Sequence, residues 1–276
     1  MARSIPQPHL FPAHGHSPLP WPLWAFAAAG AGAVLLAATA AGQRPASALP
    51  FAPGEACVYR GNGPLGRMGS GTFAVDADAG SGAWVLRFDF RGRMGIVGVE
   101  NHTRSWFDPA ETASFRFTKL ERSPVSTQRQ EVRMDRAART WTGGGRDAGG
   151  AMHTSAPLDE LSFVFFLRTL RLAPGDSYAF DRHYDPARNP VRVRVIGRGP
   201  LRVPAGELPA VEVEMRVRDA HHYDREGVIR IHFTDDARHL PLRLESRIPV
   251  AGRMVLSLEA LTPSCGAGPT GGHATD

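Results

Sequence analysis

The densest group of side chains able to do chemistry runs Asp219-Ala220-His221-His222-Tyr223-Asp224, followed by His232, Asp235, Asp236 and His239. Histidines and carboxylates together are the donor set for zinc and for general acid–base work. The spacing is not that of H-E-x-x-H, in which one helical turn carries two histidines to the same face. Here the group sits between two strand-like runs, where adjacent side chains point in different directions. A solvated hairpin turn is the simpler reading. Asp235-Asp236 reads as turn chemistry, its carboxylates accepting from nearby backbone amides. Other catalytic patterns are missing: there is no G-x-S-x-G and no G-x-x-x-x-G-K-[ST], and no two acids stand out as a glycosidase pair. The residues therefore assign no catalytic group, no metal and no cofactor.

A second set is apolar. Trp84, Phe88, Phe90, Phe163 and Phe166 could line a cavity between a curved sheet and a helix, of a size to hold a lipid or acyl chain. The competing reading is a filled core made by the same residues.

The elements that must position these groups read mostly with period two. Trp84, Leu86, Phe88 and Phe90 alternate with Val85, Arg87, Asp89 and Arg91, and Val191, Val193 and Val195 alternate with Arg192 and Arg194. The same holds at Phe115–Phe117, Val211–Val217, Ile229–Phe233, Leu240–Leu244 and Met254–Leu258. One buried and one solvated face per strand is the habit of antiparallel sheets. Glycine, proline and aspartate mark the connections at 61–64, 78–80, 108–109, 143–145, 185–186 and 204–206. Gly69-Ser70-Gly71 reads as a bulge and Gly143–Gly150 as a flexible loop. Glu212 and Glu214 are placed to form cross-strand ion pairs with Arg192 and Arg194.

One segment breaks the alternation. Ala156 to Leu172 predicts a helix capped by Ser155, with Pro157 in its first turn, Asp159 and Glu160 at its positive end and Pro174 beyond its stop. Its apolar residues cover most of the circumference, so it needs a concave partner. A curved sheet folded around it meets that need; packing on one sheet face is the alternative.

Before this lies an apolar block, Leu23 to Ala41, with Arg3 the only cation ahead of it and no acid before Glu55. It reads as a secretory signal with cleavage after Ala38-Thr39-Ala40 or Ala46-Ser47-Ala48, or as an uncleaved N-terminal anchor. Cys57 follows Gly54-Glu55-Ala56, which is not a lipobox. Either way residues 49–265 form one β-rich domain outside the cytoplasm, followed by a disordered tail at 266–276. Two thiols in an oxidising compartment predict a Cys57–Cys265 disulfide tying the first strand to the last. Two unrelated thiols are the alternative. Removing residues 1–48 takes away Arg3 and Arg44 and no acid, so the net charge of +5 becomes +3. The cations are scattered among acids, and all but Lys119 are arginine. That pattern speaks for genome composition and outward strand positions, and against nucleic acid.

Four pieces carry a family resemblance: Pro53-Gly54-Glu55, the run Leu158–Leu170 with Pro174-Gly175, Val203-Pro204-Ala205-Gly206, and Asp235–Leu242. In this combination the chain, from about residue 50 to 262, resembles the bacterial domain of unknown function 3108. His232 departs from that pattern, where an aromatic residue is common. The resemblance implies an exported, mainly β envelope protein with a curved antiparallel sheet of half-barrel type and no established activity. It supplies no catalytic residues. Together with the residue pattern it points to a non-enzymatic module that binds an apolar or envelope-derived ligand, such as a lipid, or an envelope protein. A hydrolase of envelope polymer and a ligand-free assembly factor are the alternatives. Contact with the membrane is expected only through the N-terminal segment.

Overall fold

Alternating strands leave one face to be buried, and here a single sheet buries it by curling. The computed structural model describes residues 49–123, 126–144, 148–219, 222–248 and 252–265. The leader or anchor at 1–48, the tail at 266–276, His221 and the side chains of Asp219, His222, Tyr223 and Asp224 lie outside the described residues. The chain forms β1 Ala56–Gly63, β2 Gly66–Ala77, β3 Trp84–Met94, β4 Val97–Asp108, β5 Ala113–Arg122, β6 Thr127–Asp135, β7 Thr140–Gly143 and β8 Gly149–Ala151. After helix α1, Glu160–Leu167, come β9 Ser177–Phe180, β10 Val191–Val203, β11 Gly206–Asp219, β12 His222–Thr234, β13 Pro241–Ile248 and β14 Gly252–Leu258.

All fourteen strands belong to one antiparallel sheet, in the spatial order β8-β7-β6-β5-β4-β3-β2-β1-β14-β13-β12-β11-β10-β9. Every neighbouring pair but one is a sequential hairpin or meander step. The exception, β1 with β14, pairs the first strand with the last at Tyr59↔Leu258. The predicted disulfide is present beside this seam: Cys57 and Cys265 are bonded across 208 residues of sequence, their Cα atoms 4.7 Å apart.

The sheet curls far enough for its two edges to meet. Leu158, after β8, forms a parallel bridge with His183, after β9. Trp141 of β7 meets Tyr184 edge to face at 5.3 Å, and Gln130 of β6 donates to the Tyr184 hydroxyl at 3.0 Å. Helix α1, between β8 and β9 in sequence, lies inside the curl. One continuous core cluster joins it to Phe73, Val75 and Leu86 on one side and to Val193, Val213, Ile231 and Leu244 on the other. All seven residues Leu161–Leu167 are buried, as a helix apolar on every face requires.

The helix is shorter than its sequence pattern predicts, for a local reason. Leu158 is held extended, donating to Arg182 O at 2.6 Å and accepting from Tyr184 N at 3.0 Å, so Pro157 and Leu158 cannot join a helix. Asp159, not Ser155, is the cap. Its carboxylate accepts from the amides of Leu161 (3.0 Å) and Ser162 (2.9 Å), and Ser162 Oγ accepts from the Asp159 amide at 2.8 Å. Beyond Leu167 the chain tightens into three-residue turns and the α-helix ends.

Three smaller expectations also shift. Gly69–Gly71 lies within β2, and the extra residue is Met68: Gly61 pairs with Gly69 but Asn62 pairs with Arg67. Gly143, Gly149 and Gly150 lie in the short β7–β8 hairpin, not in a loop; residues 145–147 between them lie outside the described residues. Register does place Arg194 opposite Glu214, but Glu214 binds Arg216 (2.8 Å) and Arg230 (3.3 Å), and Arg192 binds Glu226 (2.7 Å).

Candidate functional site

Of the five aromatic residues read as a cavity lining, Phe90, Phe163 and Phe166 belong to the core cluster around α1, and Trp84 and Phe88 pack against it. Trp84 meets Phe51 edge to face at 5.8 Å, and Phe88 lies 4.5 Å from Phe73. Phe163 stacks on His183 at 6.3 Å, and Phe166 meets Phe180 at 5.1 Å with the Arg182 guanidinium 4.6 Å over its ring. Phe90 lies flat on glycine: a Cβ on Gly61 or Gly92 would come within 2.5 Å or 3.0 Å of its ring. The gap left between α1 and the sheet at Cys57, Tyr59, Phe73, Val164 and Phe165 measures about 10 Å³, no more than one water's worth of room.

The polar residues do not gather into one site. His232 is half-buried on the outer sheet face, its Nε2 3.8 Å from Glu212, and burial pushes its pKa down. Asp235 binds Arg198 at 3.3 Å. Asp236 accepts from Thr234 Oγ1 (2.7 Å) and from the Arg238 amide (3.0 Å) and side chain (2.6 Å). This is the turn chemistry its sequence predicts, and the hydrogen bonds hold its carboxyl below the usual range despite burial. His239 Nδ1 meets Arg168 O at 3.0 Å. No group of three or more histidine, cysteine or acidic side chains is placed to hold a metal among the described residues. An outer-face pair that the sequence did not reveal, His102 Nδ1 to Asp89 Oδ1 at 2.7 Å, has no nucleophile to serve: Arg104 also holds Asp89, at 3.0 Å, and His102 Nε2 is 3.9 Å from Glu100.

One open groove lies at one end of the sheet, between two hairpin tips; smaller open spaces lie on the strands at Glu214, Arg230 and Glu245 and beside Arg171 and Asp235. β2 and β3 pair only as far as Gly69↔Gly92. Beyond that point β1–β2 continues as a hairpin to Gly63↔Gly66, and β3–β4 to Met94↔Val97. The bulge at Met68 twists β2 away from β3. The splayed tips enclose a groove of about 900 Å³ lined by Pro64–Gly69, Arg91–Arg93 and Gly95. Its turns need glycine: Gly66 has φ +99° and Gly95 φ +64°. The bulge also returns Arg67, opposite Asn62, to the outer face, which Arg91 shares in the row of Ser70 and Arg60. Leu65 and Ile96 occupy the tips and are 86% and 97% exposed. The only sequence signal for this groove was an aliphatic residue in each glycine-bearing turn.

Residues 59–259 match the family described as Protein of unknown function (DUF3108). The chain belongs to the DUF3108 family. The spaced pieces that announced it meet at the end of the sheet opposite the groove. Arg168, at the end of α1, donates to both Glu55 carboxylate oxygens (2.5 and 3.0 Å), to Pro50 O (2.9 Å) and to Arg238 O (3.2 Å). Its guanidinium also lies over the Phe51 ring at 5.2 Å. Tyr59 donates to Pro241 O at 2.8 Å, and Ala205 N to Leu258 O at 3.1 Å. In this DUF3108 chain Glu55, Arg168 and Arg238, from three of these pieces, build a buried clamp on the helix. They do not line the groove.

Among solved structures, a beta-barrel-like protein of domain of unknown function DUF1849 from Brucella abortus is similar over 74% of this chain and 95% of its own, at 10% identity and TM-score 0.46. A DUF1089 family protein from Pseudomonas aeruginosa is similar over 69% of this chain and 89% of its own, at 14% identity and TM-score 0.27. Comparison with curated proteins finds no match.

Proposed function

We propose that this DUF3108 protein is an exported, non-enzymatic module of the cell envelope that binds an amphiphilic, envelope-derived ligand at the groove between its hairpin tips. Export is supported by the apolar block at Leu23–Ala41 and by the Cys57–Cys265 bond, which belongs to an oxidising compartment. The observation that carries the binding role is the groove itself: about 900 Å³ of space lined by Pro64, Leu65 and Met68 together with Arg67, Arg91 and Arg93. Among the described residues no acidic side chain lines it. An apolar surface beside cations suits a molecule with an apolar part and an anionic head. The five aromatic residues serve this reading as a rigid support, and Phe90 bridges the core to the groove floor at Gly92.

Native mass spectrometry of protein exported by its own host tests the proposal. The expected result is a retained mass that disappears on extraction with organic solvent, and uptake of a hydrophobic dye that is weakened in Leu65→Ser/Met68→Ser. A clean apo mass with no dye uptake overturns it.

A further inference from the structure

Leu65 and Ile96 are the two most exposed large aliphatic side chains among the described residues, at 86% and 97%. Neither is scattered by chance over the surface. Each stands in a two-residue turn, Pro64–Leu65 or Gly95–Ile96, and the turns crown adjacent hairpins at the same end of one sheet. A turn exposed to water is usually built from glycine, proline, asparagine, aspartate or serine; Pro64 and Gly95 fit that rule, and Leu65 and Ile96 beside them do not. Aliphatic residues at both tips call for an apolar medium to receive them.

Below the tips lies a cationic collar. Arg67, Arg91 and Arg93 are exposed. Arg67 is 3.6 Å from Glu259, which already holds Arg60 at 3.1 Å. Glu100 is the register partner of Arg91, but its carboxylate goes to Arg122 at 3.1 Å. Arg91 and Arg93 have no carboxylate within 4.0 Å among the described residues. The order from tip to body is therefore apolar, then cationic, then the balanced ion pairs of the outer face.

We infer that the two hairpin tips dock the protein on an anionic membrane surface, Leu65 and Ile96 entering the boundary of the acyl chains and Arg67, Arg91 and Arg93 meeting lipid phosphates. Convexity selects this occupant. A ligand held between the tips covers their facing sides and leaves the apexes in water, whereas a bilayer takes both apexes at once. Apolar side chains at the depth of the headgroups, with guanidinium groups just outside them, are the features of interfacial membrane binding. The inference rests on the groove end being the binding end of the molecule.

The test is sedimentation of the exported protein with vesicles of phosphatidylcholine alone or of equal parts phosphatidylcholine and phosphatidylglycerol. Each variant carries the same N-terminus as the wild type, so any membrane affinity of that segment cancels in the comparison. Binding is expected to the anionic vesicles and to fall in high salt. Arg91→Gln and Arg93→Gln should each lower the partition coefficient about fivefold. Leu65→Ser/Ile96→Ser should lower it at least tenfold, with thermal midpoints unchanged in all variants. In Ile96→Trp, tryptophan emission should shift to the blue with anionic vesicles only. Equal binding of wild type and all variants, or no emission shift in Ile96→Trp, overturns membrane docking. A protein that retains a ligand by native mass spectrometry yet ignores vesicles loses this inference and keeps the proposed function. One that docks through its tips but carries no ligand does the reverse.

Discussion

The two ends of the sheet are built on opposite principles. At the clamp end a guanidinium and a carboxylate are sealed together, Arg168 and Glu55 exposing 1% and 4% of their side chains, with the disulfide beside them. At the tip end three arginines stand in water and two aliphatic residues project beyond them. Both ends use arginine next to apolar side chains, yet only at the clamp does every guanidinium nitrogen of the arginine have an internal acceptor. An ion pair in a dry site holds geometry, because removing either partner strands the other. Exposed arginines contribute little to folding and remain available to a partner. The difference assigns stability to one end and contact with other molecules to the other.

The largest expected effect comes from opening the clamp end covalently. A bond closing 208 residues stabilises by about 5 kcal/mol in the chain-entropy treatment. Cys57→Ser/Cys265→Ser should lose stability on that scale in urea titration. A loss below about 1 kcal/mol would show that the clamp holds the seam without the bond. Next comes the ion pair. Arg168→Met or Glu55→Gln alone leaves a buried charge unpaired and should cost about 3–5 kcal/mol. The double variant should recover part of that loss, since it removes the charge as well as the pair. A double variant as unstable as the sum of the singles would remove the coupling on which the contrast rests.

These two features were not equally legible. The disulfide could be read because the chain has only two cysteines and an N-terminal apolar block that reads as a signal or an anchor. The clamp could not: Arg168 and Glu55 are 113 residues apart, and in isolation Arg168 looks like a cation placed for the end of a helix. Strands β3, β5 and β10–β14 were legible because each buries one face, and period two records that; β8, exposed at every residue, leaves no such record. The groove was hidden because it depends on register. Met68 as one extra residue decides that Arg67 shares a face with Arg91, and alternation alone assigns Arg67 to the opposite side. The five aromatic residues belong to or pack against the core cluster. Whether they pack or line a hollow depended on distances between elements that no single segment contains.

The helix cap gives a smaller effect, and one that depends on pH. Burial pushes the Asp159 carboxyl up to about 6, although Ser105 Oγ donates to it at 2.6 Å and the Ser162 amide also supports the anion. A carboxyl with a raised folded-state pKa costs nothing while it is protonated in both states. Its penalty grows as pH rises from the unfolded value near 4 through about 6, and is constant above that. At full ionisation it amounts to about 3 kcal/mol. Asp159→Asn keeps an acceptor for the Leu161 and Ser162 amides and carries no charge. It should match the wild type near pH 4 and exceed it by up to about 3 kcal/mol near pH 8. Asp159→Ala loses the acceptor too and should be less stable than Asn at every pH, by about 1–2 kcal/mol. Chemical denaturation across this range checks both; parallel curves for wild type and Asn would mean that the carboxyl is not the titrating group.

The smallest expected effect on folding is at the tips, and its smallness is what sharpens the contrast. Leu65 and Ile96 bury little, so Leu65→Ser and Ile96→Ser remove almost no packing and should change stability by less than about 0.5 kcal/mol. Arg93→Gln should be equally mild, because no ion pair is lost with it among the described residues. The groove floor is a different matter. A Cβ on Gly92 would come within 2.5 Å of Met68 O, and one on Gly69 would collide with the Arg91 carbonyl. Gly92→Ala should therefore push the two hairpins apart and destabilise, while the residues at the apexes only a few positions away are replaced freely. Thermal unfolding of the four variants separates these outcomes. A tip substitution that costs as much as Gly92→Ala would make Leu65 or Ile96 part of the core, and would take away the reason for treating this end of the sheet as built for contact.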